Sequence, residues 1–424
     1  MGLVYFVIDG VAGSPSRETT ALQTARKPRL DLLARAGRCG LVYPVARGVA
    51  PESDVAVLSI LGYDPKRYYT GRGPLEALGA GLNFVEGHEI ALRGNFATVD
   101  PTTMEIIDRR AGRVLDESEG KELARALDGM ELDGGKGYAR VRHTVGHRVV
   151  VVLGHEKELS AEVSNTDPAY VRKGLASEAA SEFPRKVAEA RPLLEGEAPL
   201  RAAQLVNEFT RRAIEVLSSH HVNARRRSRG LPEANAILLR DAGDKLPRLT
   251  PLRLKIGHWV RCSAIAEMPV EIGIAKATGM RVSSEIPRAR NKRRYYEELA
   301  RAVSRELSHS DFVYVHVKGP DEYGHDGDHE GKRRSIELID EYFLGELLEL
   351  ERDLSVIITS DHATPCSLRS HSSDPVPLLI RRPGLVPDNV KSFDESSCAA
   401  GSLGTLERGT EILRVALRVL GGAD

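Results

Sequence analysis

Short, unbroken apolar runs recur along this chain between stretches of helical period, and each run stops at polar residues. Leu3–Ile8 is the first, rich in β-branched residues and closed by Asp9-Gly10. Ala236–Leu239 stops at Arg240-Asp241. Asp311–Val317 stops at Lys318-Gly319-Pro320-Asp321, and Leu354–Ser360 at Asp361-His362. Continuous apolar runs of this length predict strands buried on both faces, as in a parallel sheet. Helical periods lie between them, at Pro28–Ala36 with Leu30, Leu33 and Ala34 on one face, at Tyr295–Leu307 and at Ser335–Leu350. A further strand is expected at Gly40–Val45. The pattern is that of an α/β fold, which places its ligands beyond the carboxyl ends of its strands.

The middle of the chain differs. From about Asn83 to Thr166 shorter strands and turns are expected, including Arg148–Leu153, and a Pro-punctuated stretch, Pro184 to Pro199, leads into a helix at Leu200–Ser218. The expected organisation is one discontinuous domain, 1–75 and 233–424, split by a smaller inserted domain, 76–232. Two basic runs, Arg225–Arg229 and Arg288–Arg294, read as solvated surface or subunit contact.

Composition narrows the function classes. The 424 residues carry 60 Lys+Arg against 60 Asp+Glu, a balance that argues against a dedicated nucleic-acid binder. No apolar stretch approaches the length of a membrane span, and the N-terminal run lacks a charged n-region. Cys39, Cys262, Cys366 and Cys398 form no C-x-x-C pair, so a reduced, cytoplasmic setting fits. Gln occurs only as Gln23 and Gln204 beside abundant Arg and Glu, a thermophilic signature.

The candidate chemistry is concentrated between His316 and His371, which holds five of the 13 His. Asp321 and His325 are four apart, Asp361 and His362 adjoin at a strand end, and His371 follows. Asp9 adds a carboxylate at the end of the first strand. Mixed carboxylate and imidazole donors suit two divalent metals and favour Mn²⁺ or Zn²⁺ over Mg²⁺ alone. Asp326, Asp328, Glu330, Gly331 and Glu337 mimic an EF-hand spacing, but Arg333 stands where an apolar residue belongs and no second hand pairs with it. Ser53, in Pro51-Glu52-Ser53-Asp54, opens a helical stretch. It can serve as a plain N-cap, or as a nucleophile beside backbone N–H groups suited to a phosphoryl group. It is not in a Gly-x-Ser-x-Gly elbow, and Thr70–Pro74 lacks the spacing and Lys of a P-loop.

Taken together, these segments resemble the archaeal-type cofactor-independent phosphoglycerate mutases of the alkaline phosphatase superfamily. The matching stretches include Val7–Gly10, Pro51–Asp54, Tyr69–Ala77, Gly94–Asp100, Arg109–Arg113, Asn235–Arg240, His316–Asp328, Asp361–Cys366 and His371–Pro377, in order along nearly the whole chain. The resemblance implies an alkaline-phosphatase-like central sheet flanked by helices, with the insert as a small α/β lid. It implies that Ser53 is transiently phosphorylated. Asp9, Ser53, Asp361 and His362 would surround one metal, and Asp321, His325 and His371 the other. Manganese is expected, with zinc, cobalt or magnesium as alternatives, and no 2,3-bisphosphoglycerate is needed. The substrate would be a phosphoglycerate, with no nucleic-acid or membrane partner; a homo-oligomer is compatible.

A phosphorylated carboxylic acid needs cations. Arg240 is the foremost candidate clamp, with Arg109, Arg110, Arg113, Arg142 and Arg148 on the lid side and His147 a candidate acid/base. One segment departs from the family: after Gly279–Val282 a Gly/Thr-rich loop is expected, and Ser283–Pro287 stands there instead. Two rival classes remain. A metal-dependent phosphatase or other phosphotransferase would share the metal set but release phosphate. A non-catalytic regulatory protein would account for the altered loop but not for the intact donor set.

Overall fold

Leu3–Ile8 is a strand whose side chains are buried on both faces, and its neighbours explain why. The computed structural model describes residues 2–180, 182–287, 289 and 291–421. In an eight-stranded sheet the strands run in the order Arg281–Val282, Cys262–Ile265, Phe312–Val317, Leu3–Ile8, Ser355–Thr359, Val376–Arg381, Arg38–Val42, Gly404–Leu406. The first five are parallel; Val376–Arg381 runs antiparallel to both of its neighbours.

Register sets up the chemistry. Val7 pairs with His316 on one side and Thr359 on the other, so three apolar runs end level with one another. One face of this sheet packs Val4, Phe6, Ile8, Val313, Val315, Val356 and Ile358 against Tyr296, Leu299, Val303, Phe343 and Leu347 of the helices. On the other face Tyr5 donates to the carbonyl of Ile60, 3.0 Å away, at the end of helix Ser53–Ile60. The expected helix Ser335–Leu350 is built as His329–Leu338, a π-type turn Ile339–Leu344, and Gly345–Leu350.

A six-stranded antiparallel sheet, with Ala236–Gly243, Glu89–Val99, Arg148–His155, Gly137–His143 and Met130–Leu132 in that order and Ile106–Asp108 pairing with Glu89–Val99, forms the second core. Alternation is clean here. Ile90, Leu92, Phe96, Val149, Val151, Ile237 and Leu239 face helices Glu117–Leu127 and Glu197–Ser219, and the intervening residues take the opposite face.

The chain thus divides into two compact units, Met1–Tyr69 with Leu249–Glu267 and Ile274–Asp424, and Thr70–Arg248 with Met268–Gly273. The seams read from sequence, 75/76 and 232/233, differ from these. Ala236–Gly243 pairs antiparallel with Glu89–Val99 in the second unit, although its apolar run resembles those of the parallel strands. Among the described residues no helix is long and apolar enough to cross a membrane, and all four cysteines are unbridged.

The EF-hand spacing does not form a calcium loop. Asp326 ends helix Pro320–Asp326, and Asp328 caps the next helix by accepting from Gly331 N at 2.8 Å. In the first basic run, Arg225 and Arg227 make surface pairs with Glu122 and Glu233, but Arg226 is fully buried, contrary to a solvated reading. In the second, Arg293 and Arg294 pair with Glu297 and Glu298 along a helix; Arg288 and Arg290 lie outside the described residues.

Candidate active site

Three strands that end level bring Asp9, Lys318 and Asp361-His362 to one edge of the first unit's sheet. Asp9, Asp361 and His362 are all buried. His362 Nε2 lies 3.4 Å from Asp9 Oδ1 and 3.3 Å from Asp361 Oδ2. Gly10, at φ +56°, lets the chain turn between them. A Cβ there would fall 2.6 Å from Asp321 Oδ1, so only glycine fits.

Ser53 is the first residue of its helix. Glu52 occupies the cap position without a side-chain cap bond, so Ser53 is not the N-cap that the sequence also allowed. Its hydroxyl lies 3.2 Å from His362 Nε2.

A second set adjoins. Ligand atoms of Asp321, His362 and His371 all lie within 4.8 Å of one another, as do those of Asp9, Asp361 and His362. His325 Nε2 is 3.1 Å from His371 Nε2 and 3.5 Å from Asp321 Oδ2. Backbone carbonyls fix these rings: His371 Nδ1 is 2.8 Å from Pro51 O and His325 Nδ1 3.2 Å from Arg369 O, leaving each Nε2 for the site. His362 stacks on His371 with ring centroids 3.7 Å apart, and its Nδ1 is 3.0 Å from Thr364 Oγ1, which donates to Asp321.

The field here is strongly divided. Burial pushes Asp9 up, but the Lys318 ammonium, 2.9 Å from its Oδ2, and the neighbouring imidazoles outweigh this and hold it well below the usual carboxylate range. Burial and the nearby Asp9 charge raise Asp361. Burial disfavours the cationic form of His362, yet Asp361, Asp9 and Asp321 push it up to about 9. Burial and the His362 charge drop His371 to about 4. Asp9 Oδ1 and Asp361 Oδ2 are buried with no hydrogen-bond partner among the described residues. Orphaned carboxylate oxygens among imidazole nitrogens are the donor set a divalent cation satisfies.

Two residues of this edge were not singled out from sequence. Lys318 faces Asp9, and His316 lies 3.7 Å from Asp361 Oδ2 with its Nδ1 2.9 Å from the Tyr314 hydroxyl. Both sit in the strand-end run already marked for its acids, so position alone could have flagged them.

The second unit gathers arginines. Arg240 is not past a strand end, as expected, but inside Ala236–Gly243, directly opposite Arg93. Asn95 pairs with Arg148 on the next strand. Like charges placed opposite each other on a sheet are destabilising. Glu76 answers Arg93, 3.4 Å from its Nε, and also pairs with Arg72, whose Nε is 2.7 Å away. Arg240 lies over the Tyr170 ring, 3.6 Å from its centroid. Burial, Arg72 and Arg240 push Arg93 down to about 9, and burial with Arg148 and Arg113 drops His147 to about 4, which leaves His147 neutral. The alternation Ile90-Leu92-Gly94-Phe96 places Arg93 on the opposite face, a signal the sequence carried unread.

The other candidates separate. Arg110 and Arg113 line a cleft of about 460 Å³ with Arg109, Phe183 and Arg185. The Arg109 fork is engaged with Asp167, at 3.0 and 2.7 Å. Arg142 makes a half-exposed pair with Asp128 and does not join the cluster. Ser283–Pro287 follows the edge strand Arg281–Val282. Its Ser283 N donates to Ala264 O at 2.9 Å and Glu285 pairs with Arg305, contacts that tie it to its own sheet edge.

Comparison with known proteins places the chain in a family. The family model described as 2,3-bisphosphoglycerate-independent phosphoglycerate mutase matches residues 34–223. Proteins of that name from Aeropyrum pernix and Ignicoccus hospitalis are 48% identical, covering 100% of both chains, and 40% identical, covering 94% of this chain and 91% of theirs. The solved cofactor-independent phosphoglycerate mutase of Thermoplasma acidophilum superposes with a TM-score of 0.61 at 30% identity over 99% of each chain. A solved Pyrococcus horikoshii protein reaches 0.75 at 27% identity, covering 100% of this chain and 98% of its own. With relatives this similar over its full length, and with the serine, carboxylates and imidazoles converging at one sheet edge, the chain belongs to the 2,3-bisphosphoglycerate-independent phosphoglycerate mutases.

Proposed function

We propose that the protein interconverts 3-phosphoglycerate and 2-phosphoglycerate without 2,3-bisphosphoglycerate, and that Ser53 carries the phosphoryl group between the two positions. The observation that carries this reading is the placement of the Ser53 hydroxyl 3.2 Å from His362 Nε2, beside two carboxylate–imidazole sets. Asp9, Ser53, Asp361 and His362 would hold one divalent cation and Asp321, His325 and His371 the other, with His362 in reach of both. Manganese suits this mixed oxygen and nitrogen donor set. Cations bound there would lower the pKa of the serine hydroxyl and screen the charge of the phosphoryl group.

The chain's own residues do the rest. Ser53 Oγ forms the new bond to phosphorus while the ester oxygen leaves with the glycerate. The other glycerate hydroxyl then takes the phosphoryl group back. Lys318 adds positive charge next to Asp9. The arginines of the second unit, Arg93, Arg148 and Arg240 with Arg110 and Arg113, supply the cations a phosphorylated acid requires. Phosphoryl transfer asks mainly for positioning and charge, which is what these groups would contribute.

Ser53→Ala removes the acceptor without removing a helix cap, since Ser53 is not the cap. Turnover in a coupled assay without 2,3-bisphosphoglycerate should fall by roughly three orders of magnitude or more. Folded, metal-loaded Ser53→Ala protein with near-normal turnover sinks the assignment. Phosphate release measured on the wild type alongside decides between mutase and phosphatase.

A further inference from the structure

Arg226 belongs to a run of arginines that reads as surface, yet its side chain is wholly buried on helix His221–Ser228. It pairs with the carboxylate of Glu119, itself buried on helix Glu117–Leu127. Its Nε donates to Pro232 O at 2.8 Å, and its two terminal nitrogens donate to Val114 O and Ala111 O, each at 3.4 Å.

Those last two carbonyls bracket an unusual turn. Ala111, Gly112 and Arg113 have φ of +47°, +71° and +57°. Three successive residues in left-handed space, two of them not glycine, persist only where their surroundings hold them. Gly112 is packed as well: a Cβ there would meet Pro232 Cγ at 2.9 Å. The turn carries Arg110 and Arg113, which line the cleft of about 460 Å³ with Arg109 and Arg185. One neutralised, buried cation therefore holds the carbonyls of Ala111 and Val114 in a turn whose Arg110 and Arg113 line a cleft.

We propose that Arg226 is a positioning residue for substrate binding, holding the Arg110–Arg113 turn in the left-handed form that presents its guanidinium groups to an anionic group of the substrate. This rests on the reading of those arginines as substrate contacts. A lysine could keep the pair with Glu119, but a single nitrogen lacks the fork that spans Ala111 and Val114.

The test compares Arg226→Lys and Arg226→Gln with the wild type and with Arg227→Lys, an exposed neighbour. The readouts are kcat, KM for 3-phosphoglycerate, melting temperature, and the rate of tryptic cutting after Arg113 below the melting transition. KM should rise about tenfold in both Arg226 variants with kcat within about threefold. Cutting after Arg113 should accelerate, and Arg227→Lys should match the wild type. Folded Arg226 variants with wild-type KM and wild-type cutting overturn the proposal. So does a lowered melting temperature with reduced kcat and unmoved KM, the outcome of a merely structural role. Should Arg226→Gln fail to fold, Arg226→Lys, which keeps the charge opposite Glu119, decides by the same criteria. Arg110→Ala and Arg113→Ala run in parallel: if both leave KM unchanged, the substrate reading of the turn fails, while the tryptic rate still judges whether Arg226 holds it.

Discussion

Arg93 is a buried cation held among other cations, and the proposed substrate role gives it a use that would offset a cost to stability. It is cross-strand from Arg240 and shares Glu76 with Arg72. Its guanidinium stays protonated at neutral pH even when pushed down to about 9, so the repulsion is stored in the folded protein. Replacing it removes a repelling charge, and Glu76 keeps Arg72 as partner. Arg93→Met should therefore unfold later, by about 1 kcal/mol in denaturant titrations, while KM for 3-phosphoglycerate rises at least roughly tenfold. A variant that loses stability and keeps its KM would mark Arg93 as a purely structural ion pair. Ser53 makes the complementary point. As a residue type at a helix start it was ambiguous between cap and nucleophile; Glu52, one residue earlier, holds the cap position, and the nucleophile role is the one the Ser53→Ala measurement tests.

At the scale of elements, helix Pro28–Arg35 starts after Lys27, which provides no side-chain cap. Asp340, from the π-type turn Ile339–Leu344, accepts instead from Leu30 N at 2.7 Å and Arg29 N at 3.0 Å. Burial pushes this carboxyl up to about 6 despite those N–H groups. The sign follows from linkage. A carboxyl whose folded pKa is raised favours folding when protonated, so its contribution is complete below about pH 4 and is lost as the pH rises through about 6. Asp340→Asn keeps an acceptor and cannot ionise. Its stability relative to the wild type should improve by about 1–2 kcal/mol between pH 4 and pH 7.5, read from paired unfolding curves. A difference that does not move with pH would show that Asp340 is ionised at no cost. The helix itself was legible from Pro28, Leu30, Leu33 and Ala34. Its cap was not, because the partner lies some three hundred residues away and is reached only through packing.

For the whole molecule, the proposed cation sites at the buried carboxylates Asp9 and Asp361 carry an expectation: the first unit's stability should depend on divalent cations. A ligand at about a hundred times its dissociation constant stabilises the folded state by about 2.7 kcal/mol per site. Thermal unfolding should shift upward on adding Mn²⁺ to chelator-treated protein. Asp361→Asn should blunt the shift, and Ser53→Ala, which keeps all the carboxylates and imidazoles, should retain most of it. Equal melting with chelator and with Mn²⁺ would show that these oxygens bind no cation. The boundaries of the units belong to this scale too. Ala236–Leu239 has the same local composition as a parallel strand, and only its pairing with Glu89–Val99 assigns it to the second unit.

The sequence by itself determined which runs become strands and which acids and imidazoles follow them. Both are local properties: apolar continuity, and polar residues placed just after it. Because Leu3–Ile8, Phe312–Val317 and Ser355–Thr359 pair in level register, that local information was enough to locate Asp9, Asp321, Asp361 and His362 in one neighbourhood. The tertiary structure alone decided who faces whom. It set Arg93 against Arg240, buried Arg226 behind the Arg110–Arg113 turn, turned His316 and Lys318 toward the carboxylates, and left Arg142 on a surface pair. These are contacts between residues distant in the chain. They depend on strand register and on which helix covers which face, and neither is written in the composition of any single segment.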